Sequence, residues 1–163
     1  MENKSSKLVP ALVGGGVIGL LSSIPIINMG NCLCCMWVLL GGAIAAYMNA
    51  KDYPPEMEYT SGDAALAGLL AGCFGALFGT LLGYFFMTIM GTMPWQDMME
   101  GILESDADIP PEFEDMLENM ENTGQMGFMF VFGQLFINLI VDAIFGTLGG
   151  LLGKALFVKK SKE

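Results

Sequence analysis

Apolar residues run along the chain in long blocks that are separated by short polar breaks. The blocks cover residues 8–28, 33–50, 63–90 and 126–157. At 1.5 Å of helix rise per residue, such blocks approach or exceed the ~30 Å thickness of the hydrocarbon core of a bilayer. The pattern therefore predicts an all-α integral membrane four-helix bundle, with residues 1–163 forming a single membrane domain.

The polar breaks carry turn and helix-start signals. Residues 28–31 (Asn-Met-Gly-Asn) are turn formers, and Pro54 and Pro55 interrupt the second break. Thr60 and Asp63 have the spacing of a helix-starting capping box. These signals predict two helical hairpins. The first block also resembles a signal peptide, but no small-x-small cleavage site follows it, so we expect it to be retained.

Composition narrows the class of protein. Apolar residues make up 53% of the chain and charged residues only 15%, whereas a soluble domain carries about a quarter charged. The absence of His excludes the common catalytic triads, and a net charge of −10 disfavours a nucleic-acid partner. Intramembrane aspartyl chemistry needs two facing carboxylates, and only Asp142 lies deep in a block. We expect a non-enzymatic protein with no cofactor.

The lysines predict the orientation in the membrane. In a four-span arrangement all seven basic residues fall on one face of the bilayer, and translocation of positive charge is disfavoured. We therefore expect a multi-pass protein of the cell membrane with both termini cytoplasmic and residues 28–31 and 93–124 on the opposite side. Trp37 then lies toward the outer interface and Tyr53 toward the inner one. The lysines are Lys4, Lys7, Lys51, Lys154, Lys159, Lys160 and Lys162.

Residues 93–124 are acidic and amphipathic. They contain ten carboxylates, no base, and two apolar patterns of helical period separated by Pro110 and Pro111. We expect an extracytoplasmic acidic helical cap whose charges are solvated. The alternative is a site that attracts cations or a basic partner. The acids around residues 104–115 do not form an EF-hand, because Ile109 stands where its glycine is required.

Small residues form a ridge along every block. Small side chains allow close backbone approach, which drives helix association in lipid. The ridges predict tight packing, and also self-association or attachment to other membrane subunits. Alternatively, all of them contact other helices of the same chain and leave none for a partner. The predicted packing positions are Gly15, Gly19, Gly42, Gly68, Gly72, Gly75, Gly79, Gly83, Gly146 and Gly150.

Polar residues also recur within the fourth block. Gln134, Asn138 and Asp142 are spaced by four and share one helix face, and Tyr84 of the third block can supply a hydroxyl. A charged group at mid-bilayer costs at least ~2.5 kcal/mol and is a functional candidate. We consider two interpretations: a proton or monovalent-cation site at Asp142, and polar contacts that hold helices together.

Sulfur-bearing residues suggest a metal alternative. Cys32, Cys34 and Cys35 precede the second helix and Cys73 lies in the third block, while methionines such as Met87 recur three residues apart near the outer face. Thiols and thioethers select copper(I), but methionine is also an ordinary filler of apolar gaps. We predict no metal site, and the redox state of the cysteines stays open.

The stretch Asn-Cys-Leu-Cys-Cys-Met-Trp at residues 31–37, followed by Gly41-Gly42 and Ala45-Ala46-Tyr47, resembles a turn motif of small uncharacterised prokaryotic membrane proteins. The resemblance spans the first hairpin and the start of the third block. It implies membrane location and no known activity. We therefore expect an assembly or structural subunit that associates through glycine-rich faces; the alternative is a small proton or cation channel or transporter that uses Asp142.

Overall fold

The computed structural model describes residues 6–24, 27, 31, 35–54, 56–90 and 125–157. Within these residues the chain consists of helices and turns. The predicted all-α four-helix architecture is confirmed. The predicted acidic cap at 93–124 lies outside the described residues. The helices are α1 (Leu8–Ser23), α2 (Met36–Lys51), α3 (Ser61–Met90) and α4 (Gln125–Phe157).

The two hairpins pack side by side and share a diagonal contact. Helix α1 packs on α2 and α3, α4 packs on α3 and α2, and α2 also contacts α3. Helices α1 and α3 run in the same direction, because Gly15 faces Gly75 and Gly19 faces Gly79. Helices α3 and α4 are antiparallel. Each helix therefore has at least two helical neighbours.

A reciprocal pair of hydrogen bonds starts α3. The Asp63 backbone N–H donates to Thr60 Oγ1 at 3.2 Å, and the Thr60 N–H donates to Asp63 Oδ2 at 3.3 Å. These bonds satisfy backbone donors that the first turn of a helix leaves unpaired. The predicted capping box is confirmed.

The first two helices are short for reasons visible in the sequence. Helix α1 ends at Ser23, before the end of its apolar block, because Ile24 (φ −89°, ψ 115°) is extended and precedes Pro25. Helix α2 begins after Cys35, whose φ of 51° is left-handed and therefore non-helical. Each helix has 16 residues, which corresponds to about 24 Å.

The longer helices turn most of their apolar surface outward. The segments Ser61–Phe86 and Val131–Phe157 are long and apolar enough to cross a membrane, yet only 33% and 17% of their most apolar windows are buried in the bundle. Leu81 is 66% exposed, Phe136 65% and Leu156 73%. A core helix of a water-soluble protein would bury such residues. An apolar surface of this extent is typical of contact with lipid.

Candidate functional site

On one side of Asp142, helices α3 and α4 meet backbone to backbone. A Cβ on Gly146 would stand 2.5 Å from the carbonyl oxygen of Gly68, and a Cβ on Gly72 would overlap the carbonyl oxygen of Asp142. Gly150 makes the same kind of contact with Ala64. These glycines leave no room for side chains, so the backbone at Asp142 is held directly against α3.

Most of the glycines predicted to pack helices do face another helix of the same chain. Two of them are exceptions. A Cβ added to Gly79 would lie 3.7 Å from the Cα of Gly19, an ordinary van der Waals distance, and a Cβ added to Gly83 would meet no described atom within 4 Å. Sequence reasoning missed two further tight positions, Gly14 and Gly41, because neither belongs to the row of small residues chosen on its helix. Gly149 and Gly153, which form the row beside Gly146 and Gly150, are also tight.

On the other side of Asp142 the helices separate and line a cavity of about 300 Å³. The end of α1, residue Asn31, the second half of α3 and the first half of α4 form its walls. All four residues predicted for an ion or proton site lie in this one cavity: Asp142, Asn138, Gln134 and Tyr84. Thr80, Ser22 and Ser23 add hydroxyl groups to the lining of the cavity.

Some of the polar groups that line the cavity bond to one another, and others have no hydrogen-bond partner in the described part of the chain. Gln134 Nε2 donates to Asn138 Oδ1 at 3.1 Å, which orients both amides along α4. Thr80 Oγ1 is buried and has no hydrogen-bond partner in the described part of the chain. The Asp142 carboxylate likewise accepts no hydrogen bond and forms no ion pair there. A carboxylate, three amides and several hydroxyls therefore face a shared space.

The described basic groups lie far from Asp142, at the end of the bundle that we call the lysine end. Lys154 Nζ lies 3.2 Å from Ser61 Oγ, and Lys7 pairs with an acid in the same first turn of α3. Asp142 is opposite Gly72, which is about 16 Å along α3 from Ser61. No described lysine compensates its charge.

A second polar cluster closes the lysine end. Asp63 is paired with Lys7 Nζ at 2.8 Å and accepts hydrogen bonds from the hydroxyls of Tyr53 at 3.0 Å and Thr60 at 2.7 Å. The Asp63 side chain is only 6% exposed. Sequence reasoning placed Lys7 and Tyr53 at the inner interface without joining them to Asp63. The signal that could have joined the three residues is that all of them are predicted to lie at the same face of the membrane.

Tyr59 supports this cluster from the side. Its hydroxyl donates to the Ala46 carbonyl at 3.1 Å, and its ring meets the edge of Tyr53 with centroids 5.2 Å apart. Burial, followed by the negative charge of Asp63, raises the pKa of the Tyr59 hydroxyl above its ordinary value. Tyr59 therefore stays a neutral donor and anchors the connection between α2 and α3.

The sulfur residues are only partly described. Cys73 is a half-buried thiol on α3 and Cys35 precedes α2, but Cys32 and Cys34 lie outside the described residues, as does the side chain of Met87. Within the described ranges no three acidic or cysteine side chains are placed to hold a metal ion.

Outward apolar faces, glycine-mediated helix contacts and a polar cavity at membrane depth define a helical membrane protein. The chain belongs to the MJ1491 transmembrane domain family, whose profile matches residues 8–162 and so spans all four helices. Neither the curated proteins nor the solved structures that were compared gave a match. Membership of this family shows that the chain is a transmembrane protein.

Proposed function

We propose that this protein binds a proton or a small monovalent cation within the membrane, at the carboxylate of Asp142, and that it has no enzymatic activity. The observation that carries the proposal is the single cavity shared by Asp142, Asn138, Gln134 and Tyr84. Its lining offers one negative charge and several neutral oxygens. A bound charge of +1 would balance that set.

The polar groups suit a small hard cation. Hard cations prefer oxygen ligands, and the cavity supplies carboxylate, amide and hydroxyl oxygens. Thr80 Oγ1 adds a buried oxygen with no described partner. An uncompensated charge at mid-bilayer is costly, so protonation or cation binding at Asp142 would stabilise the folded chain.

The lysine distribution supports a direction of access. The lysine end is proposed to face the cytoplasm, since positive charge collects on that side of a membrane. The cavity then opens toward the extracytoplasmic face. Residues 93–124 follow α3 in the sequence at that face, and their ten carboxylates would raise the local concentration of cations. A solvated acidic cap and an electrostatic funnel are compatible roles for this segment.

Assembly through glycine-rich faces is the second candidate. This candidate has less support than the glycine pattern alone suggested, because most of the small-residue ridges already contact other helices of the same chain. Among the glycines that the structure describes, Gly16, Gly83 and Gly133 are those where an added Cβ would meet no described atom within 4 Å. Crosslinking in native membranes that yields only monomer would remove self-association, and copurification in mild detergent would reveal other subunits.

Equilibrium binding of labelled Na⁺ or Rb⁺, together with dissipation of a pH gradient in proteoliposomes, tests ion binding. Asp142→Asn should lower cation affinity or proton flux by roughly tenfold or more, because it removes the one charge at that depth. Asp52→Asn is the matched control, since Asp52 is exposed at the lysine end. Equal binding and flux in both variants and the parent, with assembly unchanged, would refute the proposal.

A further inference from the structure

The packing of α3 against α4 shows at which depth each polar group of the cavity lies. Gly146 of α4 meets Gly68 of α3, and Asp142 meets Gly72. Because the two helices are antiparallel, each step of four residues toward the start of α4 corresponds to a step of four toward the end of α3. The same register continues from Asp142 into the cavity.

This register divides the polar groups between separate levels. Asn138 lies one step from Asp142, about 6 Å along the helix axis. Gln134 and Thr80 share the next level, about 12 Å from Asp142, and both line the cavity. Helical side chains lean toward the N-terminus of their helix, so Asp142 and Thr80 lean toward each other. The carboxylate and the Thr80 hydroxyl therefore lie at separate levels of an elongated polar space.

A single metal ion does not span these levels. Oxygen ligands lie about 2.0–2.6 Å from a bound hard metal ion, so an ion held by Asp142 meets Thr80 only through intervening water. The cavity of about 300 Å³ has room for roughly ten water molecules of ~30 Å³ each. This volume lies at the lower end of the range of small-molecule sites. The length and the volume of the cavity therefore fit a small organic molecule.

The lining also determines the charge that such a molecule can carry. Asp142 is the acidic residue of the described lining, and no basic side chain is part of that lining. An anionic group would lie unpaired inside the membrane, whereas one positive group would pair with Asp142. At the other level, Thr80 Oγ1 is buried and has no hydrogen-bond partner in the described part of the chain. Buried polar groups are normally paired, so this end calls for a neutral hydrogen-bonding group.

We propose that the monovalent cation bound in this cavity is a protonated primary amine with a hydroxyl group about six bonds away, which is ~7 Å in an extended chain. This inference rests on the proposed function of Asp142 and specifies the class of the cation. The ammonium group donates charge-assisted hydrogen bonds to the Asp142 carboxylate. The hydroxyl group forms a hydrogen bond with Thr80, at the level of the Gln134 amide.

Binding of labelled 5-amino-1-pentanol to the purified full-length protein in detergent tests this class of ligand. Its nitrogen and oxygen have the required separation, and its amine is protonated at pH 7. Binding should be saturable after subtraction of empty micelles, and Asp142→Asn should lower the affinity by about tenfold or more. 1-Pentanol, which carries no charge, should not compete, and this result does not depend on the folding of a variant. Competition by 1-pentanol as strong as that by the unlabelled amine would overturn the inference.

Pentylamine isolates the hydroxyl end, because it has the same carbon chain and charge without the hydroxyl group. Thr80→Val should lower the affinity for 5-amino-1-pentanol about fivefold and change the affinity for pentylamine by less than about twofold. Thr80→Ser keeps the side-chain hydroxyl and is the matched control, with affinities close to those of the parent. Equal losses for the two amines in Thr80→Val would overturn the inference, because they would report a change in the cavity as a whole.

Competition with inorganic cations separates this inference from the proposal for Asp142. If Na⁺ or Rb⁺ binding depends on Asp142 while 5-amino-1-pentanol neither binds nor competes, the amine fails and the Asp142 site stands. If 5-amino-1-pentanol binds equally to the parent and to Asp142→Asn, both fail. Phosphatidylethanolamine should not displace the labelled amine, because its phosphate would have no basic partner in the described lining. Displacement would identify a lipid head group as the ligand and overturn the inference.

Discussion

Asp142 divides the bundle into two halves in which α3 and α4 pack against each other differently. In the lysine half, α3 and α4 are in backbone contact through Gly68, Gly146 and Gly150. In the cavity half, the same two helices stand apart around about 300 Å³. The facing residues of α4 change there from glycine to Asn138 and Gln134.

The difference shows how one long helix pair can be both rigid and open. Dispersion contacts between close backbones hold membrane helices together, so the lysine half supplies the stability of the pair. The cavity half makes fewer such contacts and leaves polar groups facing a shared space. Four changes to the chain test this division, from the largest expected effect to the smallest.

The largest effect is expected for Gly146→Leu. The new side chain would overlap the backbone of Gly68 and force α3 and α4 apart, at a cost of about 3 kcal/mol or more. Gly133→Leu is the control on the same helix, because a Cβ there meets no described atom within 4 Å. Thermal unfolding in detergent, followed by circular dichroism, should separate the two; equal stability would erase the contrast between the halves.

Asp63→Ala comes next. It leaves the part-buried Lys7 ammonium without its partner, which costs about 3 kcal/mol. The double variant with Lys7→Ala should recover part of the loss, and a double-mutant cycle measured by unfolding reports the coupling. Asp52→Ala, at an exposed position, should change little. Strictly additive losses would show that the lysine end is not held by this pair.

Thr60→Val should cost about 1 kcal/mol, the usual value for a helix N-cap. The valine keeps the shape of the side chain but cannot accept the Asp63 N–H or donate to the carboxylate. Thr60→Ser keeps both bonds and should remain close to the parent in the same unfolding measurement. A Thr60→Val variant as stable as the parent would mean that the cap is redundant.

Thr80→Val should have the smallest effect on stability, within about 0.5 kcal/mol of the parent. Its hydroxyl has no described partner, so no protein hydrogen bond is lost. Under the proposed function the same change should nevertheless weaken cation binding by a few fold. A large loss of stability at Thr80 would show that the cavity half is packed as firmly as the lysine half.

Sequence reasoning reached the helices and the contents of the cavity for clear physical reasons. Apolar blocks of bilayer length and the Thr60–Asp63 spacing are local signals, so helix existence and one helix start were predictable. A spacing of four placed Gln134, Asn138 and Asp142 on one face. Tyr84 joins them because α3 and α4 form an antiparallel hairpin, which the turn pattern implied.

Helix neighbours were less accessible to sequence reasoning. Small residues occur on every helix, so the pattern did not show that Gly15 of α1 would meet Gly75 of α3. The ion pair between Lys7 and Asp63 depends on the same packing of α1 against α3. The end of α1 depended on one residue pair, Ile24 before Pro25, inside a block that hydropathy alone treats as continuous.

The adjacent glycines Gly41 and Gly42 of α2 affect the order in which the bundle assembles during synthesis. Gly41 faces α1, whereas Gly42 faces Gly146 in the second half of α4. The first hairpin therefore leaves the translocon with the Gly42 face of α2 still exposed to lipid. That surface is covered only when the last segment leaves the ribosome, so a stalled or truncated nascent chain presents an incomplete bundle to the quality-control proteases of the membrane.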